Sequence, residues 1–233
     1  MNKSNTDFNS ILKELKREKE IKESLFQLNH EIKNPLAVVN GYLQMIDRTK
    51  DEKKKNQYLK IIKQEIKRAI TIINDFTNLG KIKKLNNEPI DLSIIIEEII
   101  EMLEPILKSI NSQIHYENLD EIYVMGDFDR LKQVFLNLIK NSIEAKDKDF
   151  LIIDIKIEKL KKEFNIIIKD NGKGMTEEEL NHMMDTFYTT KKRGTGLGTT
   201  YVKRIIKMHQ GKIKFKSKEK EGTTVIVTLP IMN

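Results

Sequence analysis

Apolar residues recur at helical spacing from Phe8 through Ile11, Leu12 and Leu15, then at Ile21, Leu25, Leu28, Ile32, Leu36, Val39, Leu43 and Ile46. The later steps are of three and four residues, the seam of a helix packed in a coiled-coil-like bundle. The polar run "DRTKDEKKKN" (Asp47–Asn56) breaks the pattern, which resumes at Leu59, Ile62, Ile66, Ala69, Ile73 and Phe76. Two long helices joined by a short polar loop lie antiparallel. A lone hairpin covers only part of each seam, so the pattern predicts that two copies pair into a four-helix bundle, a homodimer.

The period changes near "NNEPIDL" (Asn86–Leu92), where Pro89 ends the helical run. "SIIIEEIIEMLEPILKS" reads as a helix opening on Ser93, and "QIHYEN" and "IYVMGD" read as strands. A helix is expected over Asp129–Ala145, and "LIIDIKIEK" and "FNIIIKD" alternate with period two, as hairpin strands do. A Gly-rich loop, a helix over about Thr195–His209 and strands "KIKFKSKE" and "GTTVIVTLP" follow. The expected fold is α + α/β: an antiparallel helical hairpin in residues 1–86, then an α/β sandwich in 87–233 with helices against one face of one sheet.

Composition narrows this picture little. The chain of 233 residues is 39% hydrophobic and 33% charged and has no cysteine, which excludes disulfides and thiolate metal sites and favours a reducing, cytoplasmic setting. No apolar run approaches the roughly 18–20 residues that span a bilayer, so no membrane segment is expected in this chain. The formal charge of +7 is spread along the chain among glutamates, with no basic block interleaved with aromatics. That distribution reads as solvated surface and gives no motif for binding nucleic acid.

Candidate chemistry begins with "NHEIKNPL". His30 falls between seam positions Leu28 and Ile32 and faces solvent; Glu31 is its neighbour and Asn34 lies one turn on. Pro35 removes a backbone hydrogen bond just below. An exposed polar face with an incidental histidine is the plain alternative. In "NLIKNSIEA", Asn137 and Asn141 stand one turn apart, an amide pair suited to an Mg²⁺-phosphate site. Asp170 ends a strand before "NGKGM", where it could accept a hydrogen bond from an exocyclic amine. "GTGLG" (Gly194–Gly198) opens a helix whose first N–H groups form an anion site. Each piece alone has a structural reading, since Gly-rich turns are common.

In this order the pieces resemble the sensor histidine kinases of two-component systems over about residues 20 to 230. "HEIKNPL" is similar to the phosphoacceptor box, "NLIKNSIEA" to the N box, and "DNGKGM" to the first glycine box. "FYTTKKRGTGLG" matches the F box running into the second glycine box, and "GTTVIVTLP" matches the closing box of an ATP-binding fold shared with gyrase and Hsp90-type ATPases. The resemblance implies a homodimeric ATP-dependent kinase in which His30 takes the γ-phosphoryl group. Glu31 would orient the ring and handle its proton. Asn141 would hold Mg²⁺, and Lys140 would touch phosphate. Asp170 would read the adenine amino group beside Gly172 and Gly174. Gly194, Gly196, Leu197 and Gly198 would meet the phosphates, Lys191 would seek them, and Thr223 would lie near the adenine. At Asn137 the related hydrolytic ATPases typically carry a water-activating glutamate, so the amide favours a kinase. The implied partner is a response-regulator receiver domain. Glu31 and Asn34 also fit the ExxN form of the motif that the family uses to dephosphorylate such a regulator.

Thr186 stands where proline is usual, and Thr199-Thr200-Tyr201 replaces an apolar run, so lid closure is where the chain departs from the pattern. His115, His182 and His209 are read as structural or surface residues. The sequence around "HEIKNPLAVVNGYLQM" looks most like kinases of Bacillus-type sporulation phosphorelays. With no sensor segment before residue 20, the expectation is either a short soluble kinase or the catalytic fragment of a longer one. The rival reading is a non-catalytic bundle that binds the regulator as a decoy, which would tolerate loss of the ATP contacts.

Overall fold

The computed structural model describes residues 3–81, 84–117, 122–191 and 194–232, without the side chains of 3–24 and 78–81. The side chains of the expected seam residues before Leu25, and lid residues 192–193, therefore lie outside the described part. The chain divides into two compact units, Met1–Lys81 with Lys191–Thr195, and Ile82–Thr190 with Gly196–Asn233.

The first unit is built on α1 (Lys3–Arg48) and α2 (Glu52–Lys81). The loop between them is shorter than the polar run: only Thr49–Asp51 leaves the helices. Asp51 ends it by accepting hydrogen bonds from the Lys53 and Lys54 amides at 2.9 and 3.2 Å, an N-cap for α2. Pro35 is buried inside an uninterrupted α1. Along α2, Ile62, Ala69 and Ile72 are buried in the hairpin. Leu59, Ile66, Ile70 and Ile73 remain exposed, as do Leu36 and Leu43 on α1. Each seam thus has one covered flank and one bare flank.

The second unit starts with β1 (Glu88–Asp91) and α3 (Leu92–Ser109), and continues through β2 (Ser112–Glu117), β3 (Tyr123–Gly126) and α4 (Phe128–Glu144). Then come β4 (Leu151–Lys159), β5 (Glu163–Asp170), α5 (Glu177–His182), α6 (Gly198–Met208), β6 (Lys212–Lys218) and β7 (Gly222–Pro230). Five strands form one sheet in the order β2-β4-β5-β7-β6, with only β2 and β4 parallel. The buried alternates Ile153, Ile155 and Ile157, Phe164, Ile166 and Ile168, and Val225, Val227 and Leu229 make one apolar face. The buried stripes of α3, α4 and α6 complete that core. Burial of Ile95, Ile96, Ile99 and Leu103 on α3 alone contributes about 1.5–3 kcal/mol per side chain. Alternate lysines of edge strand β6 stay exposed, which discourages pairing with a further strand.

Three expectations need correction. The sheet is not single, since β1 pairs antiparallel with β3 in a separate two-stranded sheet. The helix expected from Thr195 begins at Gly198, because Gly196 takes φ +65° and turns the chain before it. The helix expected to open on Ser93 includes Leu92, with Asp91 as its cap accepting from the Ser93 amide at 2.9 Å. Of the strand expected over "QIHYEN", the last residue lies outside the described part.

Candidate active site

In the hairpin unit His30 is exposed on α1, as its position off the seam implied. The Phe26 ring, one turn earlier, meets the imidazole edge-on at 4.5 Å between centroids and an interplanar angle of 63°. Phe26 is 65% exposed, so its ring is spent on the histidine and not on the hairpin core. Glu31 is half-buried and Asn34 is exposed. Arg68 of α2 lies 4.0 Å from Glu31 and 3.9 Å from the buried Glu65, a Coulombic approach longer than a hydrogen bond. The Arg68 Nε is buried without a hydrogen-bond partner.

In the second unit three of the candidate residues, Asp170, Gly172 and Thr223, meet at the end of β5. Asp170 is 3% exposed. Its Oδ2 accepts from the Ser142 hydroxyl at 2.8 Å, and its Oδ1 accepts from the amides of Gly172 at 3.0 Å and Thr223 at 3.2 Å. Burial holds this carboxyl above the ordinary carboxylate range, the three donors pull it back down, and the Asp147 charge adds to the upward push. Thr223 is brought there by register, opposite Asp170 in the β5–β7 pair, and its hydroxyl lies 2.9 Å from that of Ser217.

The loop after Asp170 is stitched to its surroundings by backbone. The Lys173 amide donates to the Ala145 carbonyl at 2.9 Å, and a Cβ on Gly172 would come within 2.6 Å of that same oxygen. Gly174 takes φ +66°, and a Cβ there would sit 2.0 Å from the Lys218 carbonyl. The first glycine box is therefore required by packing within the chain itself.

Gly198 differs, because a Cβ there would meet nothing within 4 Å. It is the first residue of α6, and Leu197 before it supplies no side-chain cap. The first-turn N–H groups have no partner within a helix, so this uncapped end favours an anion. Thr200, in the same turn, buries a hydroxyl with no partner. Gly196 packs against the Phe187 backbone, whereas Gly194 donates to the Lys191 carbonyl at 3.2 Å and groups with the hairpin unit. Asn137 and Asn141 are both half-buried on α4, and Asn137 accepts from Gln133 at 3.1 Å. Lys140 is exposed.

Ser142, Phe26 and Arg68 were not singled out from the sequence. Ser142 follows Asn141 directly and is the donor that ties α4 to Asp170; a small hydroxyl on the buried face of an otherwise apolar stripe was the available signal. His209 is buried, whereas His115 and His182 are exposed and lie 3.1 and 2.9 Å from Asp154 and Asp185.

A helical hairpin that presents an exposed histidine, joined to a sandwich with a buried carboxylate and an uncapped helix end, is the architecture of a phosphoacceptor module followed by a nucleotide-binding module. Comparison with known proteins gives the same division. Residues 22–85 match the His Kinase A (phospho-acceptor) domain family, and residues 126–233 match the histidine kinase-, DNA gyrase B- and HSP90-like ATPase family. The chain belongs to the sensor histidine kinases. Its relatives include sensor protein DegM of Bacillus sp. (strain B21-2), 34% identical over 87% of this chain and 52% of that protein. Sporulation kinase B of Bacillus subtilis (strain 168) is also 34% identical, over 90% of this chain and 50% of its own length. The chain thus spans about half the length of these curated relatives. Histidine kinase ThkA, solved in complex with response regulator protein TrrA, superposes with a TM-score of 0.80 at 25% identity, over 97% of this chain and 66% of ThkA. Among the described residues no helix is long and apolar enough to cross a membrane.

Proposed function

We propose that this chain binds ATP in its second unit and transfers the γ-phosphoryl group to His30, then passes it to an aspartate of a response-regulator receiver domain. The buried, triply hydrogen-bonded Asp170 is the observation that carries this reading. It presents a fixed acceptor at a strand end, the chemistry that recognises the exocyclic amine of adenine. Gly172, Gly174 and Thr223 shape the wall around it. The phosphates are assigned to the loop of Gly194, Gly196, Leu197 and Gly198, with Lys191 and Lys140 as their cations. The open space beside Gly198 and the uncapped start of α6 fit such a group.

The half-buried Asn141 would hold Mg²⁺ through its amide oxygen beside the substrate phosphates, and the ion would neutralise charge on them. A neutral imidazole nitrogen of His30 forms the bond to phosphorus while the bond from phosphorus to the bridging oxygen of ADP breaks. The proton on the other ring nitrogen passes to Glu31. Phe26 restricts the ring, and Arg68 places positive charge near Glu31. Asn137 carries an amide, which does not activate water for hydrolysis. The exposed Asn34, one turn beyond His30, supports a reverse activity in which its amide would align water against a regulator's aspartyl phosphate.

The bare flanks of α1 and α2 support a homodimer, completing a four-helix bundle. Residues 1–86 are assigned to dimerisation and phosphotransfer and 87–233 to ATP binding, in a cytoplasmic protein. The test is incubation with γ-labelled ATP and Mg²⁺ beside His30→Ala and Asn141→Ala. Acid-labile, alkali-stable label that requires both side chains is expected. Label persisting in His30→Ala would move the acceptor elsewhere, and an unlabelled chain that still binds a regulator would be a decoy.

A further inference from the structure

Asp127 uses every polar group it has. It caps α4, with Oδ1 accepting from the Arg130 amide at 3.1 Å, and its carbonyl accepts from the Leu131 amide at 2.9 Å. Its second carboxylate oxygen does something a helix cap does not need: it accepts the Asn86 amide at 3.0 Å, from 41 residues earlier in the chain. The Asp127 amide in turn donates to His209 Nε2 at 3.0 Å. Because Nε2 is an acceptor, the ring proton is on Nδ1, which donates to the Ile205 carbonyl at 2.8 Å. The imidazole is therefore neutral and fixed at both nitrogens, at the C-terminal end of α6. Gly126 leaves room for it, since a Cβ there would lie 2.8 Å from His209 Cδ2.

Among the described residues of the segment leading from α2, Asn86 is the first whose amide donates to a side chain of the sandwich. Four residues, 82–85, separate it from the end of α2 at Lys81, and β1 begins two residues later at Glu88. We propose that Asp127 is a positioning residue that clasps this connecting segment, so that the ATP-binding unit is tethered from residue 86 and not from residue 88. The proposal rests on the reading of the chain as a kinase whose ATP and histidine lie in different units. For such a reaction the tether sets the local concentration of one unit around the other. Releasing the clasp lengthens the tether from four residues to six, and closure falls as about the −3/2 power of length. Transfer slows about twofold, while the nucleotide pocket, built elsewhere, keeps its affinity.

Two substitutions remove the bond from opposite ends. Asp127→Asn keeps the cap, because asparagine caps a helix as well as aspartate, but turns an NH₂ group towards the Asn86 amide. Asn86→Pro removes the donor and leaves Asp127 intact; Asn86 is not among the positive-φ residues, so proline is not set against a left-handed backbone there. Asn86→Gln retains the backbone N–H and serves as the conservative control. His30 labelling by γ-labelled ATP would be timed in the whole chain across ATP concentrations, with amide exchange followed over residues 84–88. Expected are a kcat about twofold lower in Asp127→Asn and Asn86→Pro, an unchanged KM for ATP, faster exchange in both, and wild-type behaviour in Asn86→Gln. Wild-type kcat in either variant whose exchange shows release would overturn the clasp, as would a rise in KM in Asn86→Pro. A wild-type chain that takes no label would instead remove the kinase reading on which the clasp depends.

Discussion

Replacing Asp170 by alanine and by asparagine separates its two assignments, holding the loop and reading the base. Alanine leaves the Gly172 amide, the Thr223 amide and the Ser142 hydroxyl without their shared acceptor in a site only 3% exposed. An orphaned buried donor costs about 1–3 kcal/mol, and water entering the truncated site recovers part of that. A net loss of about 3 kcal/mol follows, which lowers Tm by roughly 6–12 °C for a unit of this size. Asparagine keeps the shape: its oxygen serves the two amides, and the Ser142 hydroxyl can turn to accept from the NH₂. The stability cost then drops to about 1 kcal/mol. Towards adenine the exchange is not mild, because a donor now faces the exocyclic amine. Loss of one charge-assisted hydrogen bond, about 1.5–3 kcal/mol, weakens ATP roughly ten- to hundredfold. Calorimetric titration with ATP and with GTP, beside thermal unfolding, reads both effects, and GTP, with a carbonyl where adenine has its amine, should lose less. Wild-type ATP affinity in Asp170→Asn would refute the base-reading role. Equal stability of the alanine and asparagine variants would refute the three-donor network.

Four further outcomes follow from the geometry. Gly198→Ala should leave Tm unchanged or slightly raised yet weaken ATP, whereas Gly174→Ala should destabilise by several kcal/mol on the order of other strained core changes, as thermal unfolding and nucleotide titration would show. Burial holds His209 below its ordinary value near 6.5, so the unfolded chain binds this proton more tightly; its stabilising contribution is present above that value and is lost as pH falls below it, by up to about 1.4 kcal/mol per pH unit. Urea titrations should show that slope flattened in His209→Gln. Asp170 is shifted upwards, so as pH falls through its raised value the carboxyl gains a proton and stops accepting; ATP affinity measured against pH should fall on the acid side and do so at higher pH in Ser142→Ala. Ile66→Lys with Ile73→Lys should turn a dimer into a monomer in sedimentation, without loss of ATP binding.

Strands β4 and β7 could be read to the residue because their buried alternates are nearly all isoleucine, valine or leucine, so the period of two is unbroken. The small sheet could not. A four-residue strand holding a proline, "EPID", has too little pattern to show, and it exists because Tyr123–Gly126 returns to pair with it. The start of α6 was misplaced for a related reason: a positive φ at Gly196 is a decision of the Phe187 backbone packed against it, not of local propensity. Asp170 stood out as a carboxylate ending an apolar strand, but its donor Ser142 lies 28 residues away, and a hydroxyl within an apolar helix stripe does not name its acceptor. The same holds for Asp127 and His209, whose pairing across 82 residues only the folded chain reveals. Helix seams record a partner surface directly, and the exposed half of the α2 seam remained visible as apolar residues that the hairpin does not cover.

Strand β7, the last strand of this sheet in chain order, is inserted between β5 and β6 and supplies the neighbour of both. During biosynthesis the nucleotide-binding sheet therefore cannot be assembled until nearly all of its chain has left the ribosome, whereas both helices of the hairpin have emerged long before. A stop codon anywhere ahead of Gly222 would erase the sheet's interior as well as its margin, and would also take away Thr223 and its hold on Asp170. Late truncations should accordingly yield a helical remnant with no nucleotide-binding capacity, and not a protein with partial activity.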